Sequence, residues 1–155
     1  MALVRILVDG YSLLHGWPEL MPGEPPHSAL ARERLIQILT QYSDAVGTPV
    51  TVVFDGAGRR GGPGPKESTA SVEVLYSRPG QTADQIIERV AHRMKPYGEV
   101  LAVTNDFAER DTVIAMGGLA SSCENFIYSI ESALKDLKRE IANYNSTEKR
   151  RYKRS

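Results

Sequence analysis

With a single cysteine, Cys123, in 155 residues, the chain can close no intramolecular disulfide, and no Cys/His cluster in it has the spacing of a zinc site. A disulfide-stapled secreted scaffold is thereby excluded, and a reducing cytoplasm is the expected compartment. Long apolar runs are missing too. The N-terminal one is interrupted by Arg5 and Asp9, so it reads as neither a signal peptide nor a membrane span. No repeat or sizeable low-complexity tract is present. Net charge is absent as well, at a formal value of zero, but that zero conceals an uneven distribution. From Lys135 to Ser155 there are eight Lys/Arg against three Asp/Glu. Lys149, Arg150 and Arg151 sit in this basic end, which can meet RNA phosphates with counterion release or simply form a solvated, fraying helix end.

A hydrophobic content of 41% is enough for one domain with a substantial core. Strand-like runs cover residues 2–8, Val50–Phe54, Val72–Tyr76 and Glu99–Val103, with a brief fifth near Leu119. Helical spacing marks Ser28–Ala45 through Leu30, Leu35, Ile38, Leu39 and Tyr42. Thr82 caps a helix running to about Lys95, and Asp106–Ala115 forms a short one stopped by Gly117-Gly118. A closing helix runs from near Ser122 to about Asn143, with Phe126, Ile130, Leu134, Leu137 and Ile141 expected to face the core. Strands alternating with helices predict a three-layer α/β domain over residues 1–143. Its mainly parallel sheet has four to five strands and helices on both faces, and a basic polar tail occupies 144–155. Between Gly56 and Pro65, five glycines and two prolines predict a loop, and Arg59, Arg60 and Lys66 on or beside it either bind RNA phosphates or are simply exposed loop charge.

Acids stand where these strands end. Arg5-Ile-Leu-Val-Asp9, Thr51-Val-Val-Phe-Asp55 and Val100-Leu-Ala-Val-Thr-Asn-Asp106 each finish in aspartate, and Asp84 opens a helix in Gln81-Thr-Ala-Asp84. One such acid is an ordinary turn or cap residue. In a parallel sheet, however, the carboxyl ends of the strands share one edge, where open α/β sheets take their ligands. Carboxylates converging there repel unless a cation joins them, and hard Mg²⁺ or Mn²⁺ accepts such oxygen ligands while keeping several waters. The chemistry this predicts is metal-assisted phosphoester hydrolysis.

Leu7-Val-Asp9-Gly-Tyr-Ser12, Val53-Phe-Asp55, Val72-Glu-Val-Leu-Tyr76, Thr82-Ala-Asp84 with Glu88, and Thr104-Asn-Asp106 with Glu109 together resemble the YacP-like branch of the NYN domains, which are PIN-like metal-dependent ribonucleases. The resemblance follows chain order over nearly the whole length. It implies an endoribonuclease with a Mg²⁺ or Mn²⁺ centre held by Asp9, Asp84 and Asp106. Asp55 and Glu109 are supporting candidates, Asp55 alternatively shaping the turn into the glycine loop, and Glu88 either points to the same edge as Asp84 or pairs with Arg89 or Arg93. The family pattern reads Asp-Gly-Tyr-Asn, whereas Ser12 stands here at the asparagine position. Serine keeps an oxygen but loses the amide donor, so it either bonds a water or phosphate or weakens the site. Thr104 and Asn105 are read as orienting the site or capping the helix. The rival reading is an RNA- or ribosome-binding module of the same fold with weak or lost catalysis.

Other signals carry less. Gly61-Gly-Pro-Gly-Pro-Lys66 lacks the Gly-Lys-Ser/Thr leading into a helix that a phosphate-binding Walker loop needs. No His/Asp pair is placed to activate Ser12 as a nucleophile. His15, His27 and His92 are scattered, with only His15 near the first acidic motif, and Trp17-Pro18 reads as loop packing or as a base-stacking face.

Overall fold

The computed structural model describes residues 3–56 and 67–154, the last three as backbone alone. The strands are β1 (Leu3–Asp9), β2 (Val50–Phe54), β3 (Val72–Tyr76), β4 (Glu99–Val103) and β5 (Leu119–Ser121). They pair in the order β3-β2-β1-β4-β5, and every pairing is parallel. The helices are α1 (Gly10–His15), α2 (Ala29–Val46), α3 (Ala83–Met94), α4 (Phe107–Ala115) and α5 (Cys123–Arg154).

Side-chain alternation explains the layering. Ile6, Val8, Val50, Val52, Phe54, Val72 and Val74 point to one face and join buried residues of α1, α2 and α5. Leu7, Val53, Val100 and Ala102 point to the other and meet Ile86, Ile87 and Val90 of α3 and Val113 of α4. Every residue of β2 is buried, as expected of a parallel strand covered on both faces. The outer edge of β3 is closed by side chains: the Val72 and Val74 N–H groups donate to Thr69 Oγ1 (3.1 Å) and Ser68 Oγ (2.9 Å).

Local signals set the helix ends. Ser28 caps α2 by accepting from the Ala31 N–H, and Gly47 closes it in the left-handed region at φ 76°. Thr82 and Gln85 form a reciprocal capping box on α3. The glycines after the first two strand-end acids are demanded by packing: a Cβ at Gly10 would run into the Phe54 ring, and one at Gly56 into the Ser77 carbonyl oxygen.

Three expectations need correction. Leu30, expected on the apolar stripe of α2, is 52% exposed. Helix α5 does not stop at Asn143 but continues through Arg154, so the basic polar segment from residue 144 is helical as far as Arg154. Leu137 and Ile141, expected to face the core, are exposed. The cause is geometric: at 32 residues α5 is about 48 Å long. Its first turns bury Phe126, Ile127 and Ile130 in the core shared with α2, and its later turns outrun that core.

The connection after β1 leads outward to β2, whereas the one after β3 returns across the sheet to β4. The direction of winding therefore changes between β1 and β4, and the crevice at their carboxyl ends is the topological switch point. Asp9 and Asp106 stand beside it.

Candidate metal centre

Two acids at the switch point double as helix caps. An Asp9 carboxylate oxygen accepts from the Ser12 N–H at 3.3 Å at the start of α1. Asp106 accepts from the Ala108 and Glu109 N–H groups at 2.9 and 3.4 Å at the start of α4. Asp84 sits in the first turn of α3, with Glu88 one turn further along. Near-helical spacing carries Glu109 one turn past Asp106, where it is only 4% exposed. Asp55 receives the Ser77 hydroxyl at 3.1 Å, and that same hydroxyl accepts from the Gly56 N–H at 2.9 Å.

These carboxylates feel one another. Burial pushes Asp9 up to about 6; the Ser12 N–H pulls against that, and the charges of Asp84, Asp55 and Asp106 add to it. Asp84 is raised by burial, then by the charges of Asp106 and Glu88, and by a hydrogen bond with Asp106. Glu109 is driven up to about 8 by burial first, then by a hydrogen bond with Glu88 and the charges of Asp84, Glu88 and Asp106. Its Oε1 is buried without a hydrogen-bond partner. Among the described residues no ion pair within 4.0 Å joins Asp9, Asp84, Asp106, Glu88 or Glu109 to a cationic side chain.

A hydrogen-bonded frame holds the acid-bearing turns together. Ser12 Oγ accepts from the Asn105 N–H at 3.1 Å and from the Cys123 thiol at 3.6 Å, tying the end of β1 to the end of β4. Asn105 Oδ1 accepts from the Cys123 N–H at 2.9 Å and thereby anchors the start of α5. Buried Thr104 accepts from the Asp106 N–H at 3.2 Å. Ser12, Thr104 and Asn105 thus fix the spacing of the two strand-end acids.

The donor set suits a hard divalent cation. It is all oxygen, it gathers on one edge, and three of its members are pushed up the pKa scale by burial and mutual repulsion. Among the described residues no three Asp, Glu, His or Cys side chains form a ready-made coordination shell. That is compatible with an ion that takes one or two direct carboxylates and completes its shell with water.

The model of the YacP-like NYN domain matches residues 6–155. The chain belongs to the YacP-like NYN domain family, which is nuclease-like. It is similar to the Bacillus subtilis (strain 168) protein YacP, described as uncharacterized, at 29% identity over 142 residues covering 91% of this chain and 83% of that one. The crystal structure of Rae1 (YacP) from Bacillus subtilis superposes with a TM-score of 0.78 at 27% identity, covering 96% of this chain and 84% of that one. Its W164L mutant gives a TM-score of 0.79 at 26% identity over 93% and 85%.

In this NYN domain Asp9, Asp55 and Asp84 open onto a cavity of about 380 Å³ that Tyr11, Ser12, His15 and also His27 help to line, whereas Asp106, Glu88 and Glu109 are not among its lining residues. His27 had no signal in the sequence, because α2 and the segment before it must fold back to bring it there. Trp17 is buried at 7% exposure and belongs to the core, which decides its role as packing. Phe107 was also missed. It follows Asp106 directly and is 75% exposed, with the Arg110 guanidinium 4.2 Å from its ring centroid. Its place off the Val113 side of α4 was the available clue. Lys149, Arg150 and Arg151 are exposed, and Lys149 lies 26 residues along α5 from Cys123, about 39 Å. The basic end is therefore not part of the acid cleft. Arg59, Arg60 and Lys66 lie outside the described residues.

Proposed function

We propose that this NYN domain is a cytoplasmic endoribonuclease that hydrolyses RNA phosphodiester bonds at an acidic Mg²⁺ or Mn²⁺ centre. The observation that carries the reading is the gathering of Asp9, Asp84, Asp106 and Glu109, with Asp55 and Glu88, at the switch point of a parallel sheet. Asp9, Asp84 and Asp106 hold the metal. Bound there, the ion supplies Lewis acidity toward a phosphoryl oxygen and a water of lowered pKa. Glu109, pushed up to about 8, retains its proton near neutral pH, which limits the repulsion its neighbours face. The Ser12–Asn105 tie keeps Asp9 and Asp106 at constant separation. Phe107 offers its open ring face to an unpaired base beside the cut, and its other face is covered by Arg110.

Cleavage of labelled single-stranded and structured RNA in Mg²⁺ or Mn²⁺ tests this. Asp84→Asn and Asp106→Asn should each reduce turnover on the order of a hundredfold or more, the loss expected for a centre worth several kcal/mol. Equal cleavage by wild type and both variants sinks the assignment. Tight RNA binding with neither metal binding nor turnover would make the domain a binding module instead.

A further inference from the structure

Helix α3 packs on β1, β2 and β4, and a groove of about 710 Å³ remains between it and the edge strand β3. Arg5, Arg78, Arg89 and Arg93 line this groove, against a single carboxylate, Glu73. Arg5 donates to Thr51 Oγ1 at 2.9 Å, and the Thr51 hydroxyl donates in turn to Glu73 at 3.2 Å, so Glu73 is engaged through that relay. No described carboxylate pairs with Arg78, Arg89 or Arg93. The groove thus presents planar, permanently charged donors whose fork matches phosphate oxygens.

The groove also adjoins the acids. The connection from β3 to α3 lines both cavities: Arg78, Pro79, Gly80 and Gln81 face the groove, whereas Thr82, Ala83 and Asp84 face the acid cleft. Along α3, Arg89 and Arg93 lie five and nine residues beyond Asp84, or about 7.5 and 13.5 Å at the helical rise. The step of about 6 Å between the two arginines resembles that between successive phosphates of an extended single strand.

We propose that this groove carries the phosphodiester backbone of single-stranded RNA leaving the acid cleft, with Arg89 and Arg93 on successive phosphates beyond the cut and Arg78 at the rim. The inference rests on the nuclease reading above and adds the direction of the strand. Arginine–phosphate pairing of this kind positions an RNA without reading its bases, so cleavage preference comes from elsewhere.

The test uses the full chain and a fluorescently labelled single-stranded RNA, with anisotropy measured in chelator over a range of salt. Both arginines on α3 are exposed, so Arg89→Gln/Arg93→Gln and Arg89→Glu/Arg93→Glu should keep the wild-type circular dichroism and melting temperature. Neutralisation should weaken binding about threefold to tenfold and charge reversal more. The slope of log affinity against log salt should become shallower by about 1.4, because two phosphates of a single strand are no longer neutralised by the protein. In Mn²⁺ the variants should show raised KM with kcat nearly unchanged. Unaltered affinity and slope in both variants, or no RNA binding by wild type, overturn the groove. So does complete displacement by inorganic phosphate with a slope near one, which would mark a small-anion site. RNA held through these arginines but never cleaved would defeat the nuclease reading and leave the groove standing. RNA cleaved with the variants indistinguishable from wild type would do the reverse.

Discussion

Asp9 is placed where its charge works against folding. Its ordinary value of 3.8 rises to about 6 in the folded chain, so between those limits the native state binds more protons than the unfolded one. Stability from this group is therefore complete below about pH 4 and lost as pH rises through about 6. The shift corresponds to about 2–3 kcal/mol at most. Glu109, raised from 4.5 to about 8, extends the same trend upward. In chelator, the melting temperature should fall between about pH 5 and about pH 8. Asp9→Asn keeps an oxygen for the Ser12 N–H, so it should flatten the lower half of that fall and melt higher than wild type near neutrality. Scanning calorimetry across the range decides it; a wild-type melting temperature that climbs with pH would refute the burden assigned to Asp9. Strand-end position made Asp9 and Asp106 legible in one dimension, and helical spacing did the same for Glu109. The burial of Glu109 was not legible, because it depends on α3 and α4 bringing Glu88 against it. Nor was the work of Ser12, a bond to Asn105 across 93 positions, which turns an apparent departure from the family pattern into a brace between two acid-bearing turns.

At the scale of elements, β2, β3 and β4 have the bounds expected of them, because glycine, proline and aspartate punctuate short β-branched runs. Helix α5 overran its expected end for the opposite reason. Residues 144–154 contain no glycine or proline, so nothing in them stops a helix already begun. Periodicity placed Leu137 and Ile141 on the correct stripe, but it cannot report where the neighbouring helix ends. Since the stripe is exposed from there on, removing residues 144–155 should leave the melting temperature within about 2–4 °C of wild type. Long RNAs should then bind more weakly, with a shallower salt slope, whereas short ones that reach only cleft and groove should be cleaved as before. A truncated chain that melts much earlier would show that the distal turns stabilise the fold after all.

Across the whole molecule, a formal charge of zero is divided between an acid edge, an arginine groove beside it and a distant basic helix end. A polyanion drawn toward the groove must pass carboxylates that repel it, over distances comparable with a Debye length of about 10 Å at 0.1 M salt. Positive charge in the cleft should therefore govern binding as well as chemistry. Calcium ions separate the two effects, because Ca²⁺ accepts the same oxygen donors in looser geometry than Mg²⁺. At constant ionic strength, Ca²⁺ should raise the affinity of wild type for single-stranded RNA several-fold, an effect that shrinks as salt increases. An Asp9→Asn/Asp106→Asn chain should bind in chelator about as tightly as wild type does with Ca²⁺, and should respond little to the ion. Anisotropy titrations of both proteins, with and without Ca²⁺, make the comparison. Were wild-type affinity indifferent to Ca²⁺ while the acid variant bound no better than wild type, the strand would have to run clear of the carboxylates, and the cleft and the groove would serve separate ligands.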